Sequence, residues 1–228
     1  MPSRDWKLRA KKIVNNGLAM VELGYAYKEE THLTVRKTSF FFSGDGFAAY
    51  DSKGELVFRV DSYGRDATEA SELVLMDASG GCILTLRRKR PSLHQRWEGF
   101  SGERTEGRDP LFSVRRSSLI WRSSITVEVY SNGGEEYQIE GSFACRSCNV
   151  LNAEKEAVAK IRRKVDASTN MLLGKDVFLL SMKPGFGGAF AMALVLVLDQ
   201  IGGDDAGDGA GGLEYGVHST RSPPMRLI

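Results

Sequence analysis

Histidine and cysteine, the side chains most often recruited for chemistry, are scarce in this chain of 228 residues. It holds three of each: His32, His94 and His218, and Cys82, Cys145 and Cys148. Three cysteines make no disulfide framework, and their scarcity favours a reducing compartment. There is no His-Glu-x-x-His, no Gly-x-Ser-x-Gly and no Walker sequence, so the common zinc-hydrolase, serine-hydrolase and nucleotide-loop signatures are excluded. Net charge is missing too. Lys and Arg number 31 against 29 Asp and Glu, a balance of +2, so no bulk attraction to nucleic acid is expected. The first ten residues lack the apolar core of a signal peptide. The longest apolar run, 189–198, is about half of the roughly 20 residues that a bilayer span needs. These absences predict a soluble, intracellular protein of the cytoplasm and/or nucleus, without a transmembrane segment.

What the chain does have is a repeat. Residues 75–89 align without a gap on residues 150–164, pairing Asp77 with Asn152, Ala78 with Ala153 and Leu86 with Ile161. The copies end on the same basic run, Arg87-Arg-Lys89 and Arg162-Arg-Lys164. Each copy reads as the end of one strand, a turn, and a second strand with a basic terminus. Asp or Asn suits such a turn because both bond nearby backbone and tolerate left-handed dihedrals. A period of 75 residues exceeds any solenoid or propeller unit; two related halves of a barrel fit better.

The rest of the chain supports that reading. At 42% hydrophobic residues it can bury one core. Turn clusters such as Ser43-Gly-Asp-Gly46, Asp51-Ser-Lys-Gly54, Ser79-Gly-Gly81 and Asn132-Gly-Gly134 separate short strands. The strands are expected at 33–42, 46–50, 56–61, 72–76, 83–88 and 96–100, then at 111–116, 126–130, 137–141, 149–151, 157–164 and 177–182. Twelve short strands at near-regular spacing indicate a sandwich or a barrel. The run at 189–198, rich in Ala, Met and Leu, is expected as a helix of about 188–201. It is apolar on every side, and a closed sheet around it would cover all of its faces and remove exposed strand edges. The fold class expected is therefore mainly β: a twelve-stranded antiparallel closed barrel around a central hydrophobic C-terminal helix. Residues 1–30 are an N-terminal extension, in which 18–27 reads as a short helix or an edge strand. Residues 31–202 are the barrel domain. Residues 203–228, a Gly/Asp-rich tail, bury too little apolar area to order.

Taken in order, these segments resemble the plant LURP-one-related family, within the tubby and phospholipid-scramblase structural superfamily. The resemblance covers about three quarters of the chain and rests on Phe42-Ser-Gly-Asp-Gly-Phe47, Tyr50-Asp-Ser-Lys-Gly54, Leu56-Val-Phe-Arg-Val-Asp61, Leu86-Arg-Arg-Lys-Arg90, Ser92-Leu-His-Gln-Arg-Trp97, Arg146-Ser-Cys148 and Gly174-Lys-Asp-Val-Phe178. It implies a tubby-like barrel threaded by the helix, links to pathogen defence, and no catalytic activity or cofactor. One departure is Phe186-Gly-Gly188, where similar sequences place an acidic residue near the helix start.

Few residues invite a catalytic role. His94 and Glu98 have the makings of an acid/base pair, but a histidine beside Trp97 is more often a packing residue. Cys145-Arg-Ser-Cys148 has redox or zinc spacing, yet no second pair completes a zinc site, and two small buried cysteines are expected. Gly185-Phe-Gly-Gly188 before a helix suggests an anion-binding turn, which a barrel would bury. The basic ends of the repeats are the functional lead. Alternation puts Lys160, Arg162 and Lys164 on one face of their strand, with Arg87 and Lys89 as the equivalent set. These five residues are the candidate ligand-binding set, suited to phosphate head groups. The expected partner is an anionic phospholipid or a protein, met at a membrane surface without insertion; nucleic acid is not indicated. Alternation also turns Arg88 and Arg163 toward the interior or rim, where each needs a carboxylate or carbonyl partner, Asp199, Asp61 or Asp77 being candidates. A β-bulge at the double arginine would turn both outward instead. The readings that follow are a non-enzymatic tubby-like binding module in defence or stress signalling, a scramblase-like lipid-handling protein, or, least favoured, a hydrolase or redox enzyme.

Overall fold

The computed structural model describes residues 26–39, 45–63, 72–91, 95–103, 109–119, 122–130 and 134–204. The first half of the chain forms β1 (Thr31–Ser39), β2 (Asp45–Tyr50), β3 (Leu56–Tyr63), β4 (Glu72–Asp77), β5 (Cys82–Arg88) and β6 (Trp97–Ser101). The second forms β7 (Phe112–Leu119), β8 (Arg122–Val129), β9 (Glu136–Ser142), β10 (Ser147–Leu151), β11 (Ala157–Arg163) and β12 (Val177–Met182), followed by helix α1 (Gly188–Asp204). Each strand pairs with its sequence neighbours, and β1 closes the ring on β12 antiparallel, with Leu33 opposite Leu180 and Val35 opposite Phe178.

All twelve expected strands are present, and the helix runs three residues past its expected end, to Asp204. The largest differences are at β7 and β8, which extend toward each other as far as the pair Leu119 and Arg122. Their facing ends are serines (Ser117 with Ser124, Ser118 with Ser123), which carry no apolar alternation to read. The expected strand residues 40–42, the expected extension up to residue 25, and the expected tail beyond 204 lie outside the described residues.

The barrel interior is filled by the helix. Residues 189–198 and Ile201 of α1 are all buried, against Leu33, Val35, Phe58, Leu75, Leu84, Leu86, Val114, Val127, Ile161 and Leu180 of the strands. Phe190 packs edge-to-face on Phe112 at 5.0 Å and on Tyr137 at 5.8 Å, a favoured aromatic geometry. Gly99, opposite Phe112 in the ladder, has no room for a side chain: a Cβ there would stand 2.3 Å from the Phe112 ring. Glycine at this position leaves the space that the Phe112 ring occupies.

The repeat maps onto two hairpins six strands apart, β4–β5 and β10–β11, on opposite sides of the ring. Their registers match residue for residue. Leu75 faces Leu84 and Met76 faces Cys82, with a register shift between them. Val150 faces Ala159 and Leu151 faces Ala157, with the same shift at the same place. The turns are the same device as well. Asp77 Oδ1 accepts from the amides of Ser79 and Gly81, and Asn152 Oδ1 from the amide of Glu156. Asp51 repeats it between β2 and β3, accepting from the amides of Lys53 and Glu55. In all three the fourth residue is left-handed: Gly54 at φ 80°, Gly80 at 89° and Lys155 at 63°.

In an up-and-down ring the connections alternate between two ends. One end carries these three Asp/Asn turns and the entry of α1, where Ala26 bridges to Gly187 and Gly185 N donates to Tyr27 O. The other end carries the basic termini of both repeats and the C-terminal end of α1.

Candidate anion-facing surface

The outer wall formed by β10, β11, β12 and β1 contains no Asp or Glu in any of its four strands. Its cations come from the sequence pattern itself. On β11 the inward residues are Ala159 and Ile161, both buried, so Lys160 and Arg162 face out. On β1 Leu33 and Val35 are buried and Arg36 is exposed. Arg36 is opposite Val177 of β12, one ladder step from the Arg163–Phe178 pair, so Lys164 and Arg36 flank the same β12 residue. Between the cations the wall is neutral: Ser147, Asn149, Ser181 and Thr34, with His32 Nδ1 2.9 Å from Ser181 Oγ.

The five candidate residues occupy different situations. Lys160 is exposed. Arg162 is half-buried and held: its Nη1 donates to Cys148 O at 2.8 Å and Ile161 O at 2.9 Å, and its Nη2 to Asn149 Oδ1 at 2.7 Å. Lys164 Nζ donates to Thr34 Oγ1 at 2.7 Å, tying β11 to β1 across β12. Arg87 is exposed on β5, opposite Glu98 of β6. Lys89 Nζ pairs with Glu98 Oε1 at 2.9 Å. The set therefore divides. Lys160, Arg162 and Lys164 belong to a carboxylate-free wall; Arg87 and Lys89 lie beside a carboxylate.

No bulge interrupts either double arginine, for Arg87 and Arg88 face Glu98 and Trp97, and Arg162 and Arg163 face Leu179 and Phe178. Arg88 and Arg163 are accordingly half-buried at the rim. Arg163 uses a carbonyl, donating from Nη2 to Leu173 O at 2.7 Å. The carboxylates considered as partners are engaged elsewhere. Asp77 holds its own turn, and Asp199 pairs with Lys37, whose Nζ is 3.1 Å from Oδ2. The side chain of Asp61 lies outside the described residues.

The expectation of two buried cysteines needs correction. Cys148 is buried and inward on β10, and burial pushes its thiol up to about 11, with Arg162 and Arg146 opposing. Cys145 is exposed, because it sits in the β9–β10 turn rather than on a strand. The catalytic candidate is likewise weakened: Glu98 is ion-paired with Lys89 and lies 3.5 Å from Arg96 Nε, while His94 lies outside the described residues. No group of three or more His, Cys, Asp or Glu able to hold a metal occurs among the described residues.

Arg146, which sequence reasoning passed over, is the most enclosed charge of the described residues, 7% exposed. Its guanidinium lies 4.0 Å from the Phe143 ring centroid and 4.6 Å from that of Phe178, and Nε donates to Lys175 O at 2.8 Å. Burial lowers its pKa, opposed by the charges of Asp199 and Asp176. With Lys37 it supplies positive charge at the C-terminal end of α1, whose last turn has no basic residue. Nothing in the local sequence marks this role, since it depends on β12 and the helix end arriving from elsewhere.

A closed antiparallel ring threaded by an apolar helix, with a cationic outer wall, defines the molecule as a helix-filled β-barrel. The chain belongs to the LURP-one-related family: residues 31–199 match the family described as LURP-one-related. It is 62% identical to LURP-one-related protein 12 of Arabidopsis thaliana over 186 residues, covering 82% of this chain and 84% of that protein. It is 64% identical to LURP-one-related protein 5 of the same plant over 192 residues, covering 83% and 91%. A crystal structure of another Arabidopsis thaliana protein has the same fold, with a TM-score of 0.59 at 24% identity, covering 81% of this chain and 99% of that one.

Proposed function

We propose that the chain is a non-enzymatic, tubby-like binding module that docks on anionic phospholipid head groups in plant defence or stress signalling. The carrying observation is the wall of β10, β11, β12 and β1, which presents Lys160, Arg162, Lys164 and Arg36 with no Asp or Glu on the four strands. A net charge near zero gives the molecule no general anion affinity, so such affinity must come from segregation of charge. Each Lys or Arg near an anionic lipid surface contributes about 1 kcal/mol, and the cations of this wall act together without an opposing carboxylate between them. A scramblase-like role in which α1 meets the bilayer is disfavoured, because leaving the barrel would expose the core it fills. No described helix is long and apolar enough to cross a membrane.

Co-sedimentation with phosphatidylcholine vesicles, with and without phosphatidylserine or phosphoinositides, tests this. Binding should require the anionic lipid, weaken as salt rises, and be lost in Lys160→Glu/Arg36→Glu, whose exposed positions should leave the melting temperature within a few degrees. Arg162 is a poorer choice for reversal, since it would vacate three hydrogen bonds. Equal partition onto neutral vesicles, or undiminished affinity in the double variant, would remove the wall from consideration.

A further inference from the structure

Of the four exposed large apolar side chains among the described residues, three lie together on one small hairpin. The connection from β11 to β12 folds back on itself: Val165 bridges to Leu172, Asp166 N donates to Met171 O at 2.9 Å, and Leu173 N donates to Lys164 O at 2.8 Å. On this finger Val165 is 44% exposed, Met171 67% and Leu172 56%.

The finger is a built element. At its tip, Asp166 Oδ1 accepts from the amides of Ser168 and Thr169 and from both of their hydroxyls. Those bonds, the Ser168 hydroxyl foremost, hold its pKa down to about 2. Asn170 closes the turn at φ 53°. At the base, the returning arm is fastened to the barrel three times: Arg163 Nη2 on Leu173 O, Arg146 Nε on Lys175 O, and Lys37 N on Asp176 O. A segment fixed in this way holds its apolar side chains out in water, and an exposed apolar patch on an ordered element marks a contact surface.

Charge selects the occupant. The finger rises from the end of the carboxylate-free wall, with Lys164 at the foot of one arm and the exposed Lys175 at the foot of the other. The one acid of the finger, Asp166, has its Oδ1 bonded in the tip turn, and the charge of the exposed Asp176, just past Lys175, acts on Arg146. Apolar side chains on the arms of the finger, with Lys164 and Lys175 at its foot, suit the boundary of an anionic bilayer, where acyl chains lie beneath phosphates. We infer that the 164–175 finger is a membrane-contacting wedge: Val165, Met171 and Leu172 enter the interfacial layer while Lys164 and Lys175 meet head-group phosphates. This rests on the phospholipid reading above and adds to it an apolar element that salt does not screen.

The test uses the full chain and phosphatidylcholine vesicles with and without phosphatidylserine. Met171→Asp/Leu172→Asp should lower the partition coefficient onto anionic vesicles by about tenfold or more, with the melting profile unchanged because both positions are exposed. Met171→Ser/Leu172→Ser should lower it less and serves if the double aspartate fails to fold; Met171→Leu should retain binding. Wild-type partition in the finger variants, alongside loss in Lys160→Glu/Arg36→Glu, would overturn the wedge and leave the wall reading intact. No wild-type binding to any anionic vesicle would end both. Light scattering that shows a dimer, converted to monomer by Met171→Asp/Leu172→Asp, would reassign the finger to self-association and overturn the wedge.

Discussion

At the scale of single residues, Lys155 is one of four described non-glycine positions held at positive φ. The three Asp/Asn turns are equivalent, and two place glycine at the left-handed fourth position, but the β10–β11 turn places Lys155 there at φ 63°. A non-glycine residue in that region costs roughly 1–2 kcal/mol. Lys155→Gly should therefore stabilise the chain, by about 0.5–1 kcal/mol after the added flexibility of the unfolded glycine is counted. The side chain contributes only an exposed contact to Gln138. Denaturant unfolding would show the midpoint rising; an unchanged or lower midpoint would mean that this contact outweighs the backbone strain. Asp77, Asn152 and their neighbours were legible beforehand because a turn is a local event. The enclosure of Arg146 and the missing Cβ at Gly99 were not, since each answers to a ring that another part of the chain supplies.

At the scale of elements, α1 behaves as a core rather than as a helix laid on a sheet. Its buried face is its whole circumference, and Leu194, Leu196 and Leu198 meet strand side chains on all sides. Leu196→Asp should abolish folding, because an unpaired buried charge costs several kcal/mol and the enclosing barrel offers it no water. Circular dichroism and a melting curve decide it; a soluble, cooperatively melting variant would show that the barrel stands without its filling. The run at 189–198 declared this element before any coordinates, being too apolar for a surface and too short for a bilayer. Its polar end is a different matter. Asp199 has no counter-charge on its own helix, and only barrel closure brings Lys37 within 3.1 Å.

At the scale of the whole molecule, the two halves are related but interdependent. The β4–β5 and β10–β11 hairpins share even their register shift, yet one helix serves both halves, and closure needs β1 on β12 and β6 on β7. A chain ending after β6 would keep two open edges and no filling. Residues 1–103 expressed alone should give aggregates or a species without a cooperative transition. A monomeric half that melts cooperatively would show that the duplication preserved an independent fold. The same closure completes the cationic wall, since Lys164 reaches Thr34 across β12, 130 positions away in sequence, only in the closed ring.

The sequence alone determined what depends on neighbours along the chain. Alternation assigned inward and outward faces, Asp and Asn set the turns, and an all-apolar run required enclosure. It also turned Lys160 and Arg162 outward and Arg88 and Arg163 toward the rim, because strand parity is local as long as no bulge intervenes. Tertiary structure decided what each outward charge then meets: Glu98 beside Lys89, backbone carbonyls around Arg162, Thr34 beneath Lys164. It also decided that four strands without a carboxylate would stand side by side, and that an apolar finger would project from their end. The physical reason is range. Side-chain direction follows from one residue's dihedrals, whereas electrostatic and apolar surroundings are set by strands that only closure of the barrel makes neighbours.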